Sequence, residues 1–253
     1  MLVISLPVFN EATGISGFLE ELNHHLKTLQ PHFIVVDDQS TDSTLSILTR
    51  LQASGFPITV LRNSENQGHG QTVLRGLTAA VELEPTRIVL CDGDGQFDGS
   101  DIALLVQTSI ETNTSIIEGV RHGRNDPWFR RTISFGTRIL VFLSSGSRAL
   151  DANTPLRVVQ FADAKRLLSQ IPADCPVPNL AMSALSRAQG LTITQIPVTS
   201  RPPRRQAGTT DHWKQKFATL PSRRLLKFVS RALVSWVSVH RSVRKLSKWS
   251  VNK

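Results

Sequence analysis

An α/β fold, with a mainly parallel sheet covered by helices, is the fold class this sequence predicts, and three observations predict it. Short apolar runs alternate with helical patterns from Leu2 to Ile117. Polar clusters directly follow those runs, where loops leave the carboxyl ends of strands. The length, 253 residues, is enough for one full core with an appendage.

The elements follow in order. Leu2-Val3-Ile4-Ser5-Leu6 reads as a strand buried on both faces, and Pro7-Val8-Phe9-Asn10-Glu11 as the loop that leaves it. Ile15, Phe18, Leu19, Leu22 and Leu26 recur at helical spacing. Phe33-Ile34-Val35-Val36 is the second strand, followed by the polar Asp37 to Asp42, where Ser40 or Asp42 suits a helix cap. Ile58-Thr59-Val60-Leu61 is the third, followed by Asn63 to Gly70. Arg87-Ile88-Val89-Leu90 is the fourth, and Ser115-Ile116-Ile117 the fifth.

The fourth strand runs into Cys91-Asp92-Gly93-Asp94-Gly95-Gln96, which puts two carboxylates and an amide at a strand end. Hard oxygen ligands suit Mg²⁺ or Mn²⁺, and a glycine at 93 lets the backbone turn sharply enough for both carboxylates to converge on one ion. Short acidic strings also occur in solvated turns, so this one gains weight from its company.

That company is four motifs in a fixed order: Pro-Val-Phe-Asn-Glu, Val-Val-Asp-Asp-Gln-Ser-Thr-Asp-Ser-Thr, Asn-Gln-Gly-His-Gly and Asp-Gly-Asp-Gly-Gln. Together they resemble family 2 glycosyltransferases of the nucleotide-sugar-binding GT-A fold. Later segments look most like the dolichol- or polyprenyl-phosphate sugar transferases: Glu118 to Arg121, Arg130 to Ser134, Asp151 to Arg157, Gln195 to Val198 and Arg205 to Thr210. The resemblance implies a donor pocket of Pro7, Phe9, Glu11 and Asp38 for the base and ribose of a GDP- or UDP-sugar. It implies that Asp92, Asp94 and Gln96 hold Mg²⁺ or Mn²⁺ against the donor diphosphate, with Asp92 open to a second reading as a nucleotide contact. Arg121, Arg130, Ser134, Arg157 and Arg205 would gather on the phosphate of the acceptor. Asp94, Arg121 and Arg130 would carry the catalysis.

Guanidinium groups grip phosphate oxygens through paired, charge-assisted bonds, and Arg130 and Ser134, at i and i+4, would share one helical face. A phosphate monoester is already anionic near neutral pH and needs no strong base to attack. Direct displacement with inversion is therefore expected. Asn179-Leu180-Ala181-Met182 has no acid where related proteins often carry one, which fits either a phosphate acceptor that needs no base or an altered activity. The loop Arg201-Pro202-Pro203-Arg204-Arg205 is longer than the family pattern, so Arg204 competes with Arg205 for the acceptor role. The alternatives are a glycan or glycolipid hydroxyl as acceptor, or a basic module that binds nucleotide and nucleic acid without chemistry.

The formal charge is +9, but residues 212–253 hold 11 Lys or Arg and no acid, which leaves the remainder at −2. The basicity thus belongs to a tail, residues 211–253, appended to a catalytic domain of residues 1–210, and no nucleic-acid partner is expected. In the tail Leu225, Val229, Ala232, Trp236, Val239, Val243 and Leu246 recur every three or four residues amid arginines and lysines. Such a helix is too short in its uncharged stretch to span a bilayer, yet suits an anionic membrane surface, with packing on the protein's own core as the alternative. Two cysteines without metal spacing, and a strand beginning at Leu2 where a secretory signal would lie, fit a cytoplasmic protein held peripherally on the membrane.

Overall fold

The computed structural model describes residues 1–122, 128–202, 204, 236 and 240, with residues 128–130 described by their backbone. Seven strands form one sheet: β1 (Leu2–Val8), β2 (His32–Asp37), β3 (Ile58–Arg62), β4 (Arg87–Leu90), β5 (Ile116–His122), β6 (Arg157–Gln160) and β7 (Ile193–Thr199). Their spatial order is β3-β2-β1-β4-β6-β5-β7. Strands β1 to β4 are mutually parallel, as are β5 and β7, while β6 runs antiparallel between β4 and β5.

Alternation along each strand builds two cores. Ile4 and Leu6 of β1, Phe33 and Val35 of β2 and Val89 of β4 face α1 (Ile15–His25), α2 (Thr44–Ala53) and α4 (Gly99–Thr112). Val3, Ile34, Val36, Ile88 and Leu90 face the opposite layer. That layer is α3 (His69–Glu82), α5 (Trp128–Ser145), α6 (Phe161–Leu168) and α7 (Pro178–Ala188). Burial on both faces is why these strands read as continuous apolar runs.

The order of β1 to β4 fixes where a ligand can bind. From β1 the chain moves outward to β2 and β3, then returns to place β4 on the other side of β1. The strand order reverses between β1 and β4, and the loops that leave these two neighbouring strands line a crevice at the carboxyl edge. Since β4 and β5 are both antiparallel to β6, the carboxyl end of β5 and the start of β6 share that edge.

Two features of the tail and the membrane follow. No helix among the described residues is long and apolar enough to cross a membrane. Trp236, expected on a lipid-facing stripe, is instead 7% exposed and packed in the core that includes Val141, while Nδ1 of His240 lies 3.1 Å from Oγ of Ser144. At these two residues the tail meets its own domain; the rest of the stripe lies outside the described residues.

Candidate active site

The crevice is lined by the loops that the sequence singles out. After β1, Asn10 adopts a left-handed φ of 56°, and its Oδ1 accepts the Thr41 N–H at 2.8 Å. The Asn10 and Glu11 N–H groups donate to the hydroxyls of Ser40 and Thr44 at 2.9 and 2.8 Å. Asp42, one residue before the cap position at Ser43, accepts the Thr44 N–H at 3.0 Å. These bonds lock the first two loops together and leave Phe9 exposed at the rim, Pro7 half-buried, and Glu11 buried behind them.

Asp38 fastens the loop after β3. Its carboxylate is buried and accepts the Asn63 side-chain amide at 2.7 Å and the N–H groups of Gln67 and Gly68, both at 2.9 Å. Three donors hold it in the wall, where it shapes the loop between β3 and α3.

After β4, Gly93 donates to the Pro7 carbonyl at 3.2 Å, and a Cβ there would come within 2.4 Å of Val8 Cγ1. Glycine at 93 thus answers to close approach between the two crevice loops. The sharp turn falls two residues later, at Gly95, where φ is +69°. Asp92, Asp94 and Gln96 are half-buried on this turn, and Oδ1 of Asp94 accepts the Gln96 N–H at 3.0 Å. The Cys91 thiol below them is pushed well up by burial and by the charges of Asp92 and Asp94, so it stays protonated.

Two carboxylates and an amide, all oxygen donors, on a turn open to the crevice fit a hard divalent cation that keeps positions for substrate phosphate. Among the described residues no group of three His, Cys, Asp or Glu is gathered closely enough to hold a metal ion by itself. His69, at the start of α3, reaches Asp92, with Nε2 3.6 Å from Oδ1. The sequence displays His69 within a motif but gives no reason to select it.

The segment after β7 braces this turn. Phe97 and Ser200 form an antiparallel bridge, and the N–H groups of Arg201 and Arg204 donate to the carbonyls of Gln96 and Asp94. Both guanidiniums bond Glu21 of α1, and Arg204 lies over the Phe18 ring at 5.8 Å. Burial alone would push the Glu21 carboxyl up, but the bonds from the Gly99 N–H and the two arginines outweigh it and hold the group below the ordinary carboxyl range. Arg204 is thereby committed to the brace, whereas Arg205 lies outside the described residues.

The expected arginine cluster divides. Arg157, at 1% exposure, is a floor residue: its guanidinium donates to the Asn179 carbonyl at 2.8 Å and Ser183 Oγ at 2.7 Å, and lies 3.6 Å from Glu118. Arg187 makes a two-pronged bond to the same carboxylate, at 3.0 and 2.7 Å. Arg157 so enclosed cannot reach an acceptor, and its assignment there is corrected. Arg121 does stand at the carboxyl end of β5, but the edge formed by its Nε and one terminal nitrogen is occupied by Asp151, at 2.7 and 3.1 Å. That is the geometry phosphate would need, so Arg121 too is held within the protein. Arg130 and Ser134 lie one turn apart on α5 as expected, and Ser134 is exposed; the Arg130 side chain is outside the described residues.

With the site in view, comparison with known proteins decides the family. The sequence matches Glycosyl transferase family 2 over residues 3–167. This chain belongs to that family. A UDP-N-acetylglucosamine–dolichyl-phosphate N-acetylglucosaminyltransferase of Methanococcus voltae is 24% identical over 215 residues, covering 78% of this chain and 84% of the relative. Among solved structures, a mannosyltransferase of Pyrobaculum calidifontis in complex with GDP-Man and Mn²⁺ superposes with a TM-score of 0.58 at 17% identity; the match spans 96% of this chain and 64% of that one. Glucosyl-3-phosphoglycerate synthase of Mycobacterium tuberculosis, in complex with Mn²⁺, UDP and phosphoglyceric acid, gives 0.64 at 17% identity, covering 95% and 78%. At these identities the structures establish the GT-A fold.

Proposed function

We propose that this glycosyltransferase moves a sugar from a nucleotide-sugar donor to a polyprenyl phosphate, with inversion at the anomeric carbon. The observation that carries the reading is the crevice between β1 and β4, where the Pro7–Glu11 loop and the Asp92–Gln96 turn face one another at a topological switch point. Pro7, Phe9 and Glu11 supply a flat wall and a carboxylate for base and ribose. Asp92, Asp94 and Gln96 would hold Mg²⁺ or Mn²⁺, which when bound offsets the negative charge that grows on the departing nucleoside diphosphate. The oxygen donors on the turn support this, as does the Mn²⁺ in both solved relatives. GDP in one and UDP in the other leave both donor classes within this reading.

Two features favour a phosphate acceptor over a sugar hydroxyl. Asn179, where a base would be sought, is a buried amide at the start of α7 with its carbonyl bound to Arg157. Around the same floor three guanidiniums, Arg121, Arg157 and Arg187, meet two carboxylates, Glu118 and Asp151, so this cluster carries one surplus positive charge. An anionic acceptor oxygen then forms its bond to the anomeric carbon as the carbon–oxygen bond to the donor phosphate breaks, and the electron pair leaves with the nucleoside diphosphate. Arg130, Ser134 and Arg205 bind the acceptor phosphate. The lipid-borne acceptor places the protein peripherally on a cytoplasmic membrane face, with no nucleic-acid partner.

Arg130→Lys and Arg205→Lys test the acceptor site. Each keeps the charge and loses the fork, so kcat/KM toward a polyprenyl phosphate should fall about 10- to 100-fold, the scale of one lost charge-assisted bond. Nucleotide affinity should stay unchanged. An equal loss of nucleotide binding moves these residues to the donor site, and no loss of either returns them to the surface.

A further inference from the structure

We propose that Glu21 of α1 is a positioning residue for the metal-bearing turn, holding the oxygen donors of Asp94 and Gln96 in place through two arginines. This rests on the reading above for the metal itself, and deepens it by naming what sets the placement of the ligands. The four main-chain carbonyls from Asp94 to Phe97 all accept hydrogen bonds from the segment after β7. The Arg204 N–H reaches the Asp94 carbonyl at 3.1 Å, and the Arg201 N–H reaches that of Gln96 at 2.9 Å. The Arg201 guanidinium takes the other two, Nε donating to the Gly95 carbonyl and a terminal nitrogen to the Phe97 carbonyl, both at 3.0 Å. None of these bonds uses a side-chain oxygen of Asp94 or Gln96. The brace therefore fixes the peptide planes from which those side chains project.

Both arginines converge on one carboxylate. Oε1 of Glu21 accepts from the Arg201 terminal nitrogen and from the Gly99 N–H, each at 2.7 Å, and Oε2 accepts from Arg204. Gly99 opens α4 just beyond the turn, so Glu21 ties α1, the segment after β7 and the exit of the turn to a single point. Asp98 also meets Arg201, at 3.3 Å, but its side chain is 43% exposed against 18% for Glu21. Water screens the Asp98 contact more, and Glu21 carries the larger share. The ends of the turn have anchors of their own: Gly93 is bonded to the Pro7 carbonyl, and the fully buried Phe97 is bridged to Ser200. Between those anchors the backbone of Asp94 to Gln96 is shaped by the two arginines. Without Glu21 the two guanidiniums would stand together lacking their shared counter-charge, and their hold on the four carbonyls would loosen. Metal sites respond to such losses, because a ligand is only as well aimed as the groups that orient it.

The experiment titrates Mn²⁺ into the full chain with GDP present, and again with UDP, and follows the ion by electron paramagnetic resonance, with thermal unfolding of each metal-free variant measured alongside. Glu21→Gln keeps an oxygen for the Gly99 N–H but removes the charge, and should weaken Mn²⁺ binding by about 10- to 100-fold while every metal ligand remains in the chain. Arg201→Gln, which leaves the carboxylate in place, should do the same and carries the test if Glu21→Gln does not fold. Combining the two should cost little more than the worse single change, because both act through one network. Glu20→Gln, on the exposed neighbour that bonds Ser16 of its own helix, should change nothing. Asp94→Asn, run in parallel, separates this proposal from the metal reading beneath it. If Asp94→Asn weakens Mn²⁺ binding while Glu21→Gln and Arg201→Gln bind like wild type, the proposal is overturned and the metal reading stands. A lowered unfolding temperature with wild-type Mn²⁺ affinity makes Glu21 a purely structural residue and overturns it equally. Wild-type protein that takes up no Mn²⁺, or Asp94→Asn protein that takes it up like wild type, removes the metal from the turn and the proposal with it.

Discussion

Asp94→Asn should lower turnover by about 10²- to 10³-fold, the scale seen when one preorganised electrostatic partner of a transition state is removed. The substitution isolates charge from architecture. Oδ1 of residue 94 accepts the Gln96 N–H and its main-chain carbonyl accepts the Arg204 N–H, and an asparagine retains both oxygens. Fold stability should therefore change by less than about 1 kcal/mol, as for a half-exposed polar substitution. Thermal unfolding and steady-state kinetics on one preparation check both halves. Full activity of the variant in excess chelator would remove the metal from the account.

Glu118→Gln should act in the opposite way, on stability first. Its carboxylate is the only acid in direct contact with Arg157 and Arg187 among the described residues, and all three side chains are almost fully buried. Removing it leaves two enclosed guanidiniums without their counter-charge, a loss of about 3–5 kcal/mol. Chemical denaturation should show a lower midpoint with an unchanged slope; a loss under about 1 kcal/mol would mean that the floor is wetter than the structure implies. Acid should reproduce the effect. Burial raises the Glu118 carboxyl, but Arg157 and Arg187 outweigh this and hold it below its ordinary range. Its contribution is present above the unfolded carboxyl pKa, about 4.3, and is lost as pH falls through the depressed folded value.

Much of the fold is legible in the chain because β1, β2 and β4 are buried on both faces and therefore largely apolar. Their loops are legible because ligand chemistry concentrates polar residues at strand ends. The parts that escape have physical reasons. β6 has only two apolar residues, Val158 and Val159, between Arg157 and Gln160, and it enters antiparallel, so no apolar run marks it. Arg157 shows its chemistry in the sequence but not its burial, which depends on Glu118 and Asn179 arriving from other elements. The brace on the metal turn joins Glu21 to Arg201 across 180 positions, a separation no local pattern encodes. At 93 and 95 the sequence offers two glycines, and only the backbone assigns one to close packing against Val8 and the other to the turn. Trp236 belongs to a stripe whose heptad-like spacing serves membrane and core alike; its burial in the core decides it for the core at that residue.

The most direct measurement follows a radiolabelled sugar from its nucleotide donor. Incubated with a polyprenyl phosphate and Mg²⁺ or Mn²⁺, the wild-type chain should move label into a lipid-extractable product, chelator should stop it, and Asp94→Asn should nearly abolish it. Label that appears only as free sugar, or that passes to a glycan hydroxyl while the polyprenyl phosphate stays unlabelled, would contradict the assignment.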